Sequence, residues 1–290
     1  MEPRSQLSGT LFVVATPIGN LGDITFRAVE ILKGVDVIAA EGVNRTRGLC
    51  QYYGIKTKVR RFNQHNQRRR AQEFLSLLKA GRDVALVTNA GTPGISDPGA
   101  FLVSKALEAG ISVSVVPGPS AVTAALSVAG IPSERFVFLG FLPAREGPRR
   151  RELSRWRTQG LPLVLFEAPH RLKDTLVDIM EIMNDPQVAL LRELTKAYEE
   201  VRRQKASEIL ASLGLKGIKG EIVLVVQSEA DKDDPLDSKV MEDIKHLMKK
   251  EGTPLREVAT RLSEQTGLPY RRLYKACLEV RRLEGAEGIE

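Results

Sequence analysis

Four side chains that could do acid–base chemistry stand just beyond strand-like runs: Glu41, His65, Glu193 and Lys196. Glu41 follows the apolar run 35–40, so it reads either as a carboxylate at the mouth of a cleft or as a solvated loop acid. His65 lies among the amides Asn63, Gln64, Asn66 and Gln67, where a neutral imidazole could orient a hydroxyl or simply be held by loop hydrogen bonds. Glu193 and Lys196 follow residues 188–192. On the surface they would make an ion pair of little worth, whereas in a cleft Lys196 could stabilise a developing oxyanion.

The segment from Thr88 to Gly99 carries Gly91, Gly94, Pro93 and Pro98 after the buried run Val84–Val87. It reads as strand, long constrained loop and helix, with Asp97 as the helix N-cap and Pro98 at the first helical position. A plain strand-to-helix turn would need far fewer residues, and long ordered loops tend to be functional. The loop has neither the Lys-Ser/Thr of a phosphate-binding loop nor Gly-x-Gly-x-x-Gly spacing, so a ligand here is not expected to be held by its phosphates.

A second kind of chemistry is suggested by Arg145, Arg149, Arg150, Arg151, Arg155 and Arg157, opposed locally only by Glu146 and Glu152. Guanidinium groups pair bidentately with phosphate, so this cluster is expected to bind RNA, although a charge run can also be a solvated face. Arg45, Arg47 and Arg68–Arg70 could extend the same surface.

Positioning these groups requires a regular scaffold. Strands are expected at 11–15, 35–40, 57–62, 84–87 and 111–116, with helices after the first, third, fourth and fifth of them, the earliest starting at an Asp23 cap. This alternation predicts a mostly parallel sheet with helices on both faces, and places the loops 16–23, 88–99 and 117–121 along one edge as a single cleft. Beyond Pro132 five more strands and two helices, near 149–158 and 170–183, predict an α+β unit. The expected division is a tail at 1–9, an α/β domain at 10–131, a second domain at 132–227, a charged linker at 228–237 and a helical region at 238–290. In the last of these, Val258 pairs with Leu262 and Leu273 with Leu278 in apolar stripes. Tyr270, Arg271, Arg272, Tyr274 and Lys275 open a helix that suits either nucleic-acid contact or a solvated basic face.

The 290 residues are 42% hydrophobic and 27% charged, the make-up of a folded soluble protein, and the net charge of +7 favours an acidic partner such as RNA. Cys50 and Cys277 are far apart, and no spacing suggests a metal site or a disulfide framework. No apolar run is long enough to cross a bilayer, so a cytoplasmic location is expected.

Taken together, the segments 14–23, 90–99, 117–121, 166–171, 192–196 and 220–226 resemble the tetrapyrrole methylase superfamily, whose members bind S-adenosylmethionine between two α/β domains. The resemblance is closest to the branch that methylates the ribose 2′-hydroxyl of a cytidine in 16S, the small-subunit ribosomal RNA. It implies that Ile18, Thr92, Ile95, Ser120 and Ala121 line the methyl-donor pocket, that Phe166, Glu167 and Gly220 approach from the second domain, and that the protein is a homodimer. The chain departs from the family pattern where carboxylates are usual: Gly42, Gln64, Gln67 and Asn89 stand in their places. Amides keep the hydrogen bonding but cannot act as bases at neutral pH. Three functions therefore compete: a ribosomal RNA methyltransferase, a methylase of a small tetrapyrrole-like substrate, and a non-catalytic RNA- or ribosome-binding relative.

Overall fold

The computed structural model describes residues 8–214, 218–229, 236–249 and 253–286. Most of the expected N-terminal tail, most of the charged linker, the turn residues Lys216 and Gly217, and the Arg271 side chain lie outside the described part.

The first sheet is built from β1 (Leu11–Val14), β2 (Val37–Ala40), β3 (Lys58–Arg61), β4 (Val84–Val87) and β5 (Val113–Val116). Its order is β3-β2-β4-β1-β5, and every pairing is parallel. Parallel strands need crossover helices, and β2 and β4 are buried at every position, as strands covered on both faces must be. One face packs against α3 (Gln67–Lys79) and α4 (Ala100–Glu108) through Phe74, Leu78, Leu102 and Ala106. The other packs against α1 (Phe26–Gly34) and α2 (Val43–Tyr52) through Ala28, Leu32 and Cys50. The helix α2 was not among the sequence expectations; its polar face dilutes the helical period, and its Gly42 cap offers no side-chain acceptor.

Local capping differs from expectation at two helices. Thr25, not Asp23, caps α1, its hydroxyl accepting the Ala28 N–H at 3.1 Å, because Asp23 is taken up in a 3-10 turn at Leu21–Asp23. Helix α4 begins at Ala100, after Gly99 at a φ of 152°, so neither Asp97 nor Pro98 belongs to it. Asp97 is thereby released from the capping role and its carboxylate is available elsewhere.

The second sheet contains β6 (Val137–Phe141), β7 (Leu163–Glu167), β8 (Gln187–Arg192), β9 (Glu200–Lys205) and β10 (Ile222–Val226), in the order β6-β7-β10-β8-β9. Only β6 and β7 pair in parallel. Alternation along the strands sends Leu163, Leu165, Leu190 and Leu224 to one face, where α6 (Glu146–Trp156), α7 (Leu172–Ile182) and α8 (Ala206–Ser212) cover them. The opposite face, with Val164, Leu191 and Val223, is covered by α5 (Ala121–Val128). Sequence order alone would assign α5 to the first sheet. Both faces of that sheet are already occupied, and the small residues of α5 fill the bare face of the second, so the helix ties the two sheets together.

The helices α9 (Ser238–Lys249), α10 (Leu255–Thr266) and α11 (Tyr270–Ala286) form their own core around Ile244, Val258, Leu262, Leu273 and Cys277. Leu278, expected in that stripe, is 45% exposed, and Cys277 occupies the inward position instead. Burial pushes the thiols of Cys50 and Cys277 upward and keeps both out of contact with solvent.

Candidate active site

The C-terminal edge of the first sheet is stitched together by its own loops. Thr16 and Gly91 exchange two backbone hydrogen bonds at 2.9 Å, and the Thr92 hydroxyl donates to the Pro119 carbonyl at 3.3 Å. The three loops expected to converge therefore touch one another. Across from them, the antiparallel pairing of β7 with β10 brings Phe166 and Glu167 beside Val223 and Ile222, and Arg192 at the end of β8 is in register with Ile222.

The two edges are held in contact by residues 193–196. Glu193 and Thr195 adopt φ values of 52° and 65°, a left-handed kink that turns this loop onto the first sheet. The Asn20 N–H donates to the Thr195 hydroxyl at 3.0 Å. Lys196 reaches Glu193 at 2.7 Å and Glu221 at 3.1 Å, and Glu193 also accepts the Glu221 N–H at 2.9 Å. Burial opposes the charge on Lys196, but its two carboxylate partners outweigh that and raise its pKa, while the Lys196 ammonium and the Glu221 N–H hold Glu193 below the usual glutamate range. Lys196 is thus a clamp between two acids. Gly220 must be glycine here, because its φ is 102° and a Cβ would come within 2.6 Å of the Glu193 side chain.

Between the edges lies a cavity of about 340 Å³, in the size range of small-molecule sites. Ile18, Thr92, Ile95, Ser120 and Ala121 line it from the first side, and Phe166, Glu167 and Gly220 from the second. The rings of Phe141 and Phe166 meet edge to face at 5.6 Å on its wall. Among the residues lining it there is no lysine or arginine, whereas Asp97, Glu167 and Glu221 all contribute. The wall therefore suits a cationic ligand and not a phosphate.

A model of the family described as tetrapyrrole (corrin/porphyrin) methylases matches residues 10–210. The chain belongs to the tetrapyrrole methylase family. Relatives named ribosomal RNA small subunit methyltransferase I include one from Escherichia coli O157:H7, 40% identical over 93% of this chain and 95% of its own length. One from a Synechocystis species is 42% identical over 94% and 98%, and one from Thermotoga maritima is 46% identical over 76% and 99%. Among solved structures, a uroporphyrin-III-C-methyltransferase from Thermus thermophilus superposes with a TM-score of 0.53 at 22% identity, covering 75% of this chain and 94% of that one. A diphthine synthase superposes with a TM-score of 0.62 at 14% identity, covering 76% and 90%. These two likenesses concern the fold.

As a member of this family the chain is a methyltransferase that uses S-adenosylmethionine. The cavity fits that donor on three counts: its size, its apolar and aromatic walls, and the Asp97 carboxylate in its lining, suited to a molecule that carries sulfonium and ammonium charges. When bound, the donor supplies an activated methyl group, and the methylase has to align an acceptor with it.

The expected catalytic groups are spread around this cavity. Glu41 accepts the Asn89 N–H at 3.1 Å and does not line it. His65 is exposed in the loop after β3, also off the wall, beside Asn63 and Asn66, which hydrogen-bond each other. Two of the family departures touch: a Cβ on Gly42 would fall 2.1 Å from the Asn89 side-chain oxygen, so an aspartate at the first position would displace the amide at the second. Residues that sequence reasoning missed on the wall are Asp97, Ser96 and Phe141. For Asp97 the signal was present, since a glycine directly after Pro98 disfavours a helix already under way there.

The arginine cluster requires correction. Arg149, expected to bind RNA, is buried with its Nε 2.6 Å from Asp178, and Arg150 bridges Asp178 and Glu181 at 2.8 and 2.7 Å. These two fasten α6 to α7. Arg145, Arg151 and Arg155 are exposed, with the Arg155 guanidinium stacked 5.5 Å from the Trp156 ring.

Proposed function

We propose that this methylase transfers a methyl group from S-adenosylmethionine to the ribose 2′-hydroxyl of a cytidine in small-subunit ribosomal RNA. The reading is carried by the near full-length identity to the relatives that bear that ribosomal RNA name. The 2′-hydroxyl and cytidine assignment rests on the motif resemblance. In this reading Ile18, Thr92, Ile95, Phe166 and Gly220 enclose the donor, Glu167 stiffens the wall beneath Phe166, and the N–H groups that open α5 at Ser120 and Ala121 suit the donor's carboxylate. Arg145, Arg151 and Arg155 contact RNA phosphate, and the site works in the cytoplasm, where ribosomes assemble. The exposed Phe26 and Val115 supply an apolar surface for the homodimer that the resemblance implies.

Tritiated methyl transfer to unmodified small ribosomal subunits, followed by nucleoside analysis, tests the reaction. The expected product is 2′-O-methylcytidine; transfer to a base, or to a tetrapyrrole in preference to RNA, would overturn the assignment. Replacing Arg145, Arg151 and Arg155 together with alanine is expected to weaken RNA binding and to lower its salt slope by about one for each lost phosphate contact. A salt titration of binding by filter retention would read this, and an unchanged slope would remove these residues from the interface.

A further inference from the structure

A small polar recess of about 150 Å³ lies beside the donor cavity, where the first loop meets α2. Thr16, Gly19 and Leu21 line it from the loop, Arg45 and Thr46 from the helix, and Asn89 from the end of β4. It has less than half the volume of the donor cavity, room for one planar ring and not for a second cofactor. The partition between the two spaces is a single layer of backbone. Thr16 and Asn89 line the recess, while Ala90 and Gly91 line the cavity, and Thr16 and Gly91 are hydrogen-bonded to each other at 2.9 Å.

The polar side chains of the recess fall into two groups. The Thr16 and Thr88 hydroxyls are spent on the Thr88 and Ala90 carbonyls, at 3.2 and 3.3 Å. Three other side chains have no partner among the described residues. Thr46 is only 4% exposed, yet its hydroxyl makes no hydrogen bond, not even to the carbonyl one turn back that helical threonines commonly use. The Arg45 guanidinium has no carboxylate and is the one charged group in the lining among the described residues. Glu41, the nearby acid, stays off the lining and accepts the Asn89 N–H at 3.1 Å. The Asn89 side-chain oxygen rests against Gly42, so its NH2 group is what it has to offer a ligand. A buried hydroxyl left without a partner costs free energy that a ligand's polar atoms would recover.

We propose that this recess takes the base of the acceptor nucleotide and selects cytosine over uracil, with Arg45 as the specificity-determining side chain. The proposal rests on the ribose-methylation reading given above and adds to it the group that reads the base. A guanidinium fork donates two parallel hydrogen bonds and matches two adjacent acceptors. Cytosine presents such a pair, O2 and N3, on one edge of a single ring. Uracil carries a hydrogen on N3 and sets a donor against a donor. The Thr46 hydroxyl has the capacity to accept from the exocyclic amino group of cytosine, and the Asn89 NH2 to donate to the second lone pair of O2. With the base in the recess, its ribose lies at the partition, against the cavity that holds the methyl donor.

The test is the methylation rate of small ribosomal subunits reconstituted with cytidine or with uridine at the modified position. Wild type is expected to prefer cytidine by roughly 10- to 100-fold in kcat/KM, the usual worth of one bidentate contact to a base. Arg45→Ala is expected to abolish that preference by slowing the cytidine reaction, with the uridine rate and the calorimetric donor affinity changed less than about threefold. Arg45→Lys keeps the charge but not the fork, so it is expected to lose the preference while keeping the salt slope of RNA binding. Thr46→Val is expected to slow the cytidine reaction and to melt no lower than wild type, because its hydroxyl has no protein partner to lose.

A wild type that methylates both nucleotides equally, or an Arg45→Ala variant that keeps the preference, would overturn the proposal. Equal losses on both nucleotides with a salt slope reduced by about one would also overturn it, and would make Arg45 a phosphate contact. A lower melting temperature in Thr46→Val would show that its hydroxyl holds the fold and does not await a ligand. A wild type that methylates no ribose hydroxyl would overturn the acceptor reading itself, a distinct failure.

Discussion

Arg149→Ala is expected to lower the free energy of unfolding by about 3–5 kcal/mol, the usual effect of stripping one partner from a buried ion pair. The Asp178 carboxylate would remain in an interior from which water is excluded, with only the Arg150 guanidinium beside it. Arg149 also donates to the Ala144 carbonyl at 3.3 Å, so its loss would release the loop that enters α6. Lysine is no substitute, because one ammonium lacks the forked geometry that serves both acceptors. Two positions along the helix, Arg151 points to solvent, and Arg151→Ala is expected to change stability by less than about 0.5 kcal/mol. Denaturant unfolding of the two variants checks the contrast; equal midpoints would show that the pair between α6 and α7 contributes nothing. A combined replacement of Arg149, Arg150 and Arg151 would therefore lose RNA binding through unfolding, and would report nothing about the interface.

Gly19→Ala is expected to weaken S-adenosylmethionine binding by roughly ten- to a hundredfold, the equivalent of about 1–3 kcal/mol of overpacking. The added Cβ would fall 2.6 Å from the Leu194 carbonyl oxygen, the Thr195 hydroxyl oxygen and the Lys196 Cγ. A side chain could swing aside, but the Leu194 carbonyl is backbone in a loop already held by left-handed residues on either side. Relief has to come from separating the two sheet edges. That would stretch the Asn20–Thr195 hydrogen bond and widen the cavity between Ile18 and Gly220. Gly48→Ala is the control: nothing lies within 4 Å of its added Cβ in the interior of α2, and alanine there should stabilise the helix by roughly 0.5–1 kcal/mol. Calorimetric titration of both variants reads the difference. Wild-type affinity in Gly19→Ala would mean that the approach of the two edges does not set the shape of the pocket.

The clamp of Glu193, Lys196 and Glu221 fixes the loop against which Gly19 packs. It holds the Lys196 ammonium between two carboxylates, whose hydrogen bonds favour the charge that burial opposes. With both neighbouring carboxylates satisfied by its ammonium, the cavity keeps its acidic character from Asp97, the carboxylate left without a cation among the described residues. The methyl donor is cationic, so an acidic wall favours its binding.

The strands were legible in the sequence because each is a short run of apolar residues whose burial depends on its own composition. Val84–Val87 and Ile222–Val226 announce themselves without any partner. So were the glycine- and proline-bearing loops that follow the strands of a parallel sheet, since strand direction alone brings those loops to one edge. The motifs in them also carried the family resemblance. The placements of Arg149, Asp97 and α5 were decided only in three dimensions. Arg149 differs from Arg151 because Asp178, 29 residues later, lies beneath one and not the other. Asp97 differs from an ordinary cap because the chain delays the helix until Ala100 and packs Glu41 nearby. Helix α5 crosses to the second sheet because the faces of the first are already filled. Periodicity and capping act over a few residues, whereas charge pairing, desolvation and the filling of a bare sheet face depend on partners that only the folded chain brings together.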